Sequence, residues 1–152
     1  MKQSKLSPSA IFLITFGLGL LLSWSYPWHL TLYMNGTVVK WTGVMMLIVS
    51  LVVNILAYRE FKKSVTPHEP FMKPRVLITN SVFSISRNPV YLALIVSQFG
   101  LAFVFDSIWI FISSAMLWIM LDMVIVRPEE KVLETSFKHA YEKYKNKTRR
   151  WL

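Results

Sequence analysis

Cysteine is absent from the 152 residues, which excludes disulfides, thiolate metal sites and cysteine nucleophiles. Glycine is scarce. The five residues Gly17, Gly19, Gly36, Gly43 and Gly100 include no phosphate-cradling loop and no strand–glycine–helix unit of a soluble dinucleotide fold. Acidic residues number 8 against 17 Lys and Arg, a formal net charge of +9. Charge of either sign is missing between Lys5 and Lys40, between Lys40 and Arg59, and between Arg87 and Asp106, and only Asp106 and Asp122 interrupt the run from Arg87 to Arg127. His29, His68 and His139 are scattered, with no pair at metal-ligand spacing. No Ser-His-acid set, internal repeat or low-complexity segment is visible.

What fills the uncharged gaps is apolar. Hydrophobic residues make up 54% of the chain, and the mean hydropathy of +0.44 exceeds that of an ordinary soluble domain. The gaps match the ~20 apolar residues that cross a hydrocarbon core. The pattern predicts an all-α, polytopic membrane protein forming one domain over residues 1–152, with spans at 9–24, 38–58, 89–103 and 108–126. Lys2 and Lys5 precede the first run as in a signal peptide. That run ends in Ser23-Trp24-Ser25-Tyr26-Pro27-Trp28 rather than a small-residue cleavage site, so it is expected to stay as the first span. Gly17 and Gly19 are expected to allow close packing of that span. Tyr26, Trp28 and Tyr33 mark an interfacial aromatic belt.

The segment from Ser64 to Arg87, with Pro67, Pro70 and Pro74, is too polar to cross. Its apolar anchors Val76, Leu77, Ile78, Val82 and Phe83 predict an ordered cytoplasmic loop. Pro128 is expected to open a last, amphipathic helix over 128–147. Leu133, Phe137, Ala140, Tyr141 and Tyr144 lie on one face of it and Lys131, Lys138, Lys143 and Lys145 on the other. With this topology Lys40 alone among the 17 basic residues falls on the far side. The positive-inside rule then places both termini in the cytoplasm, as in a bacterial inner membrane. The basic excess is thereby assigned to topology and anionic lipid rather than nucleic acid, for which no groove-reading motif is present.

Polar groups gather at both cytoplasmic ends of the third and fourth spans. Arg87, Asn88 and Tyr91 stand at one end, with Asn88 and Tyr91 about a turn apart on a Pro89-started helix. Glu129 and Glu130 stand at the other, in the first turn of the last helix. Each group has a structural reading: a positive-inside Arg, a turn Asn, a belt Tyr, acids at a helix N-terminus. Asp122, the only acid inside a predicted span, is either functional or a partner of Arg127. Together the two ends predict a cytosol-facing site for a polar ligand.

The order of these pieces resembles the isoprenylcysteine carboxyl methyltransferase family and its relatives, the membrane phospholipid N-methyltransferases. The resemblance rests on Thr66-Pro67, Leu77-Ile78-Thr79, Arg87-Asn88-Pro89-Val90-Tyr91-Leu92, Glu129-Glu130-Lys131-Val132-Leu133, Phe137, Tyr141-Glu142-Lys143-Tyr144 and Arg149-Arg150-Trp151, across about residues 60–152. It implies a methyltransferase that uses S-adenosyl-L-methionine at the cytoplasmic face and methylates a lipidic or isoprenoid-like acceptor on a carboxyl, amine or thiol. By matching position, Arg75, Val76, Leu77 and Ile78 line the cofactor with Phe83, Asn88, Pro89 and Tyr91. Glu129 and Glu130 close it, and His68 matches a more distant contact. Asn88 stands where eukaryotic members carry His, and Asn cannot act as a base near neutral pH. Arg87 or Arg127 is the candidate to hold an acceptor carboxylate in a bidentate pair. The partners implied are the bilayer and an amphiphilic or lipidated acceptor. Two rivals remain at the level of sequence: an NADPH-dependent membrane reductase, whose known members are much longer, and a non-enzymatic membrane adaptor.

Overall fold

The computed structural model describes residues 6–64 and 76–152, and the regular structure in these is all helix, without strands. Helix α1 (Pro8–Ser25) starts where Ser7 Oγ accepts the Ala10 N–H at 3.2 Å and Pro8 takes the first turn. Helix α2 (Gly36–Lys63) starts at Asn35, whose side chain accepts from Thr37 and Val38, and ends with Lys62 and Lys63 against the negative end of the helix dipole. A short turn of 3-10 helix, Ser81–Ser84, leads into α3 (Pro89–Val104). Ser107 caps α4 (Ile108–Leu121).

Beyond α4 the structure departs from the expected helix boundaries. Pro128 does not open a separate helix. The chain runs from α4 through a π-helical turn, Asp122–Val126, into α5 (Arg127–Phe137) without a break. Proline at 128 removes the N–H that would bond to Val124, and the widened turn absorbs that loss by bonding Arg127 N–H to Asp122 O. The expected single helix over 128–147 is two helices. Lys138, at φ 44° and ψ −116°, breaks it and turns the chain into α6 (His139–Lys147). Ala140 is exposed as a result, while Tyr141 and Tyr144 are buried.

Three helical runs, Pro8–Ser25, Gly36–Lys63 and Ile108–Phe137, are long and apolar enough to cross a membrane. The fourth, α3, has 16 residues, about 24 Å at 1.5 Å per residue, shorter than the ~30 Å hydrocarbon core. It lies inside the bundle: α2 packs chiefly on α3, α3 on α4, and α4 on α1. Leu13, Leu21, Met45, Leu51, Ile55 and Ile119 are exposed around the outside, as a lipid-facing surface requires. The bundle is an integral membrane protein in architecture and composition.

Two contacts hold the crossings together. Between α2 and α3 the backbones touch: a Cβ at Gly43 would stand 2.8 Å from Gly100 O, and one at Gly100 would stand 3.0 Å from Gly43 O. Gly19 packs against Ser113 and Ile110 of α4 as expected, but a Cβ at Gly17 would point into open space, with no other helix within 4 Å of it. Between α1, α3 and α4 a buried polar set closes: Gln98 Nε2 donates to Ser113 Oγ at 3.0 Å, and Thr15 Oγ1 donates to Gln98 Oε1 at 3.1 Å. Hydrogen bonds of this kind between membrane helices contribute about 0.6 kcal/mol each.

The end of the bundle nearest Lys40 is closed by the loop after α1. Ile108 N–H donates to Trp28 O, Trp109 Nε1 donates to Tyr26 O, and Thr31 donates twice to the Asp106 carboxylate. Burial works against ionisation of Asp106, but the Thr31 bonds and His29 outweigh it and hold the carboxyl below its ordinary range.

Gly43→Ala is expected to lower Tm through an overpacking cost of about 1–3 kcal/mol. Gly17→Ala is expected to hold or raise it, since alanine favours helix by about 1 kcal/mol. Thermal unfolding in detergent checks the pair; equal effects would contradict backbone contact between α2 and α3.

Candidate functional site

The starts of α3 and α5 meet at the end of the bundle opposite Asp106. Tyr91 Oη donates to Glu129 Oε1 at 2.7 Å, and Arg87 Nη2 reaches Glu130 Oε1 at 3.0 Å. The order of elements makes this possible. Helices α3 and α4 are joined by the tight Asp106-Ser107 turn, so they run antiparallel and return Glu129 to the level of Tyr91.

Glu130 is the centre of the cluster. Its side chain is 7% exposed and is bound by two guanidinium groups, Arg87 and Arg150, the latter through Nε and Nη2, the shortest contact being 2.7 Å. Arg150 extends its remaining arm to Asp122 Oδ1 at 3.2 Å, and the other Asp122 oxygen accepts from Arg127 Nε at 2.7 Å. The Glu130 hydrogen bond holds the Arg150 guanidinium above its already high ordinary pKa, against the opposing effect of burial. Asp122 is thus a partner of both Arg127 and Arg150.

The C-terminal segment lies across the start of α3. Arg87 N–H donates to Arg149 O at 3.0 Å, and Ser86 Oγ and Asn88 Nδ2 both donate to Arg150 O, at 3.1 and 3.2 Å. Trp151 packs edge-on against Trp118 at 6.2 Å. Above this segment Tyr144 Oη donates to Phe83 O. Burial pushes the Tyr144 phenol up to about 12, partly offset by Arg87, so it stays a donor at physiological pH.

The positions expected from sequence fall into three sets. Arg87, Asn88, Pro89, Tyr91, Glu129 and Glu130 come together. Ile78 and Phe83 belong to a neighbouring apolar cluster with Ala57, Val82 and Phe61, while Tyr91 packs on the cluster of Ile11, Ile95, Leu117, Leu121 and Ile125. Leu77 is half-buried and Val76 exposed. His68 and Arg75 lie outside the described residues. Of the two arginines proposed for an acceptor, Arg127 is 58% exposed and engaged by Asp122, whereas Arg87 is 7% exposed. His29 stands at the far end beside Asp106, and His139 is exposed beside Glu142.

Sequence reasoning gave Arg150, Ser86 and Tyr141 no role of their own. The Arg149-Arg150-Trp151 ending pointed to Arg150, the Tyr-x-x-Tyr spacing and the apolar helix face pointed to Tyr141, and no signal pointed to Ser86. A lipid-side concavity of about 570 Å³, lined by Trp41, Met45, Met46, Val49 and Val96, lies towards the other end of α2. No titratable group lines it.

Glu130→Gln should lower stability by about 3–5 kcal/mol, because it strips two arginines of their shared counter-charge. Glu129→Gln keeps a bond to Tyr91 and should cost about 1 kcal/mol or less. Comparing their Tm values in detergent checks this ordering, which reverses if Glu129 is the structural carboxylate.

The sequence pattern of phospholipid methyltransferase matches residues 38–140, which takes in α2, α3, α4, α5 and the acidic pair. No curated protein and no solved structure matches the chain. The matched region covers two thirds of the sequence and spans both ends of the polar cluster, and the chain belongs to the phospholipid methyltransferase family of membrane methyltransferases.

Proposed function

We propose that this membrane methyltransferase uses S-adenosyl-L-methionine at the cytoplasmic face, with both termini in the cytoplasm, and methylates a lipidic or isoprenoid-like acceptor on a carboxyl, amine or thiol. The observation that carries the reading is the meeting of Tyr91 with Glu129 and of Arg87 with Glu130 where the starts of α3 and α5 come together.

The residues present fit such a cofactor. Glu129 uses one oxygen for Tyr91, and a carboxylate has lone pairs for ribose hydroxyls or for a cation. Aromatic faces such as that of Tyr91 attract a sulfonium in the same way that they attract an ammonium. S-adenosyl-L-methionine, when bound, supplies an electrophilic methyl group. The chain supplies position, the main requirement of an in-line displacement. In this reading Glu129 and Tyr91 bind, and Glu130 fixes α5 against the start of α3. Asn88 is a positioning residue, since its amide donates to Arg150 O. It is no base, and a carboxylate acceptor needs none. Arg87, beside the acidic pair and shielded from water, is the arginine better placed to hold an acceptor carboxylate. The acceptor's tail would enter sideways between helices, because exposed apolar side chains such as Leu13, Leu21, Met45, Leu51 and Ile119 cover the flanks of the bundle. The family match favours methyl transfer over the hydride chemistry of an NADPH reductase and over an adaptor without activity.

Isothermal titration of the purified protein is expected to give micromolar binding of S-adenosylhomocysteine and none of NADPH. Glu129→Gln and Tyr91→Phe are each expected to weaken binding by about tenfold, equivalent to 1.4 kcal/mol, without loss of helical circular dichroism. Unchanged affinity in both variants would remove these residues from the cofactor site.

A further inference from the structure

Two side chains in the cluster are not satisfied by it. Nε and Nη1 of Arg87 and Oη of Tyr141 are buried and have no hydrogen-bond partner among the described residues. The two groups are adjacent, with the Arg87 guanidinium carbon 6.0 Å from the centre of the Tyr141 ring. Arg87 is 7% exposed at its side chain, and Tyr141 is 1% exposed. Buried donors left unpaired are rare in folded proteins, and each calls for a specific explanation.

The charges around them point to the missing partner. Among the described residues, Arg87, Arg150 and Arg127 share only Glu130 and Asp122, three cations against two anions. Glu129 faces Tyr91, and Glu134, the other acid whose charge reaches Arg87, is paired with Lys145 at 2.8 Å. The free groups of Arg87 can only donate, since guanidinium has no acceptor, and the Tyr141 hydroxyl also offers a proton. A group that accepts from both and balances the surplus charge is an oxyanion.

We infer that Arg87 and Tyr141 form a binding site for a small oxyanion, a carboxylate or phosphate group carried by a ligand of this protein. The assignment deepens the methyl-transfer reading, on which the identification of that ligand as the acceptor rests. Charge-assisted bonds from a guanidinium are the strong kind, so a single such group would orient a lipid-tailed molecule beside the acidic pair. The oxyanion comes either from a lipid headgroup or from a water-soluble molecule.

The test is thermal unfolding of the full chain in dodecyl maltoside, freed of phospholipid, at constant ionic strength over a chloride background. Sodium phosphate, sodium acetate and dihexanoylphosphatidylglycerol below its micelle concentration are titrated separately. At least one is expected to raise Tm saturably by about 3 °C. A response to the short lipid at lower concentration than to free phosphate assigns the site to a headgroup, a response to phosphate alone to a soluble phosphate, and a response to acetate alone to a carboxylate. Tyr141→Phe, which removes a hydroxyl without a partner, is expected to fold with an unchanged or higher Tm and to need about tenfold more anion. Arg87→Lys is expected to weaken the response as well. No rise beyond chloride, an undiminished response in Tyr141→Phe, or failure of Tyr141→Phe to fold would each overturn the assignment. Titration of S-adenosylhomocysteine into the same preparation reports on the cofactor site separately, so the two readings fail independently.

Discussion

The carboxylate of Glu130, buried and gripped by two arginines, is the constraint on which the polar end of this bundle depends. It joins three parts of the chain: the start of α3 through Arg87, the helix that continues α4 through Glu130 itself, and the C-terminal segment through Arg150. A charge at this depth persists only if its partners are fixed, because burying it unpaired costs several kcal/mol. Fixing the partners also fixes what they carry. Arg150 O receives Ser86 and Asn88, and Arg149 O receives the Arg87 amide, so the backbone that begins α3 is held in place from the tail. Glu129, one residue before Glu130, is thereby presented to Tyr91.

The rest of the bundle serves to hold these ends level. Helix α3 is short and enclosed, seated on α2 by the Gly43–Gly100 approach and on α1 and α4 by Gln98. In lipid, where apolar side chains gain nothing by leaving their surroundings, such close backbone contact and buried hydrogen bonds are what hold helices together. The far end is closed by its own bonds between the α1–α2 loop and the Asp106 turn. The ion pairs that join α3, α5 and the C-terminal segment thus gather at one end, and the flanks of the helices carry exposed apolar side chains.

The crossings were legible in the sequence because charge is absent from long stretches, and a bilayer punishes charge wherever it occurs. The meeting of Tyr91 and Glu129 was legible because a tight turn at Asp106-Ser107 forces α3 and α4 to be antiparallel. The π turn at Asp122–Val126 was not, since proline signals a break in hydrogen bonding without specifying whether the chain starts anew or widens. Nor was the bend at Lys138, where a non-glycine residue takes a backbone conformation that its type does not advertise. Arg150 was unreadable for another reason. A basic residue among basic residues looks like surface charge, and only the fold shows that it crosses 20 positions of sequence to reach Glu130. Gln98 and Gly43 belong with it, being ordinary residues made important by a neighbour on another helix.

The central claim, that Glu130 and Arg150 tie the tail to the hairpin, is tested most directly by a double-mutant cycle on this pair. Tm and unfolding free energy would be measured for the parent, Glu130→Gln, Arg150→Gln and the double variant in one detergent. The double variant is expected to lose less than the two single losses combined, with a coupling of at least about 1 kcal/mol. Strict additivity would contradict it, because it would mean that the two groups do not meet in the folded protein.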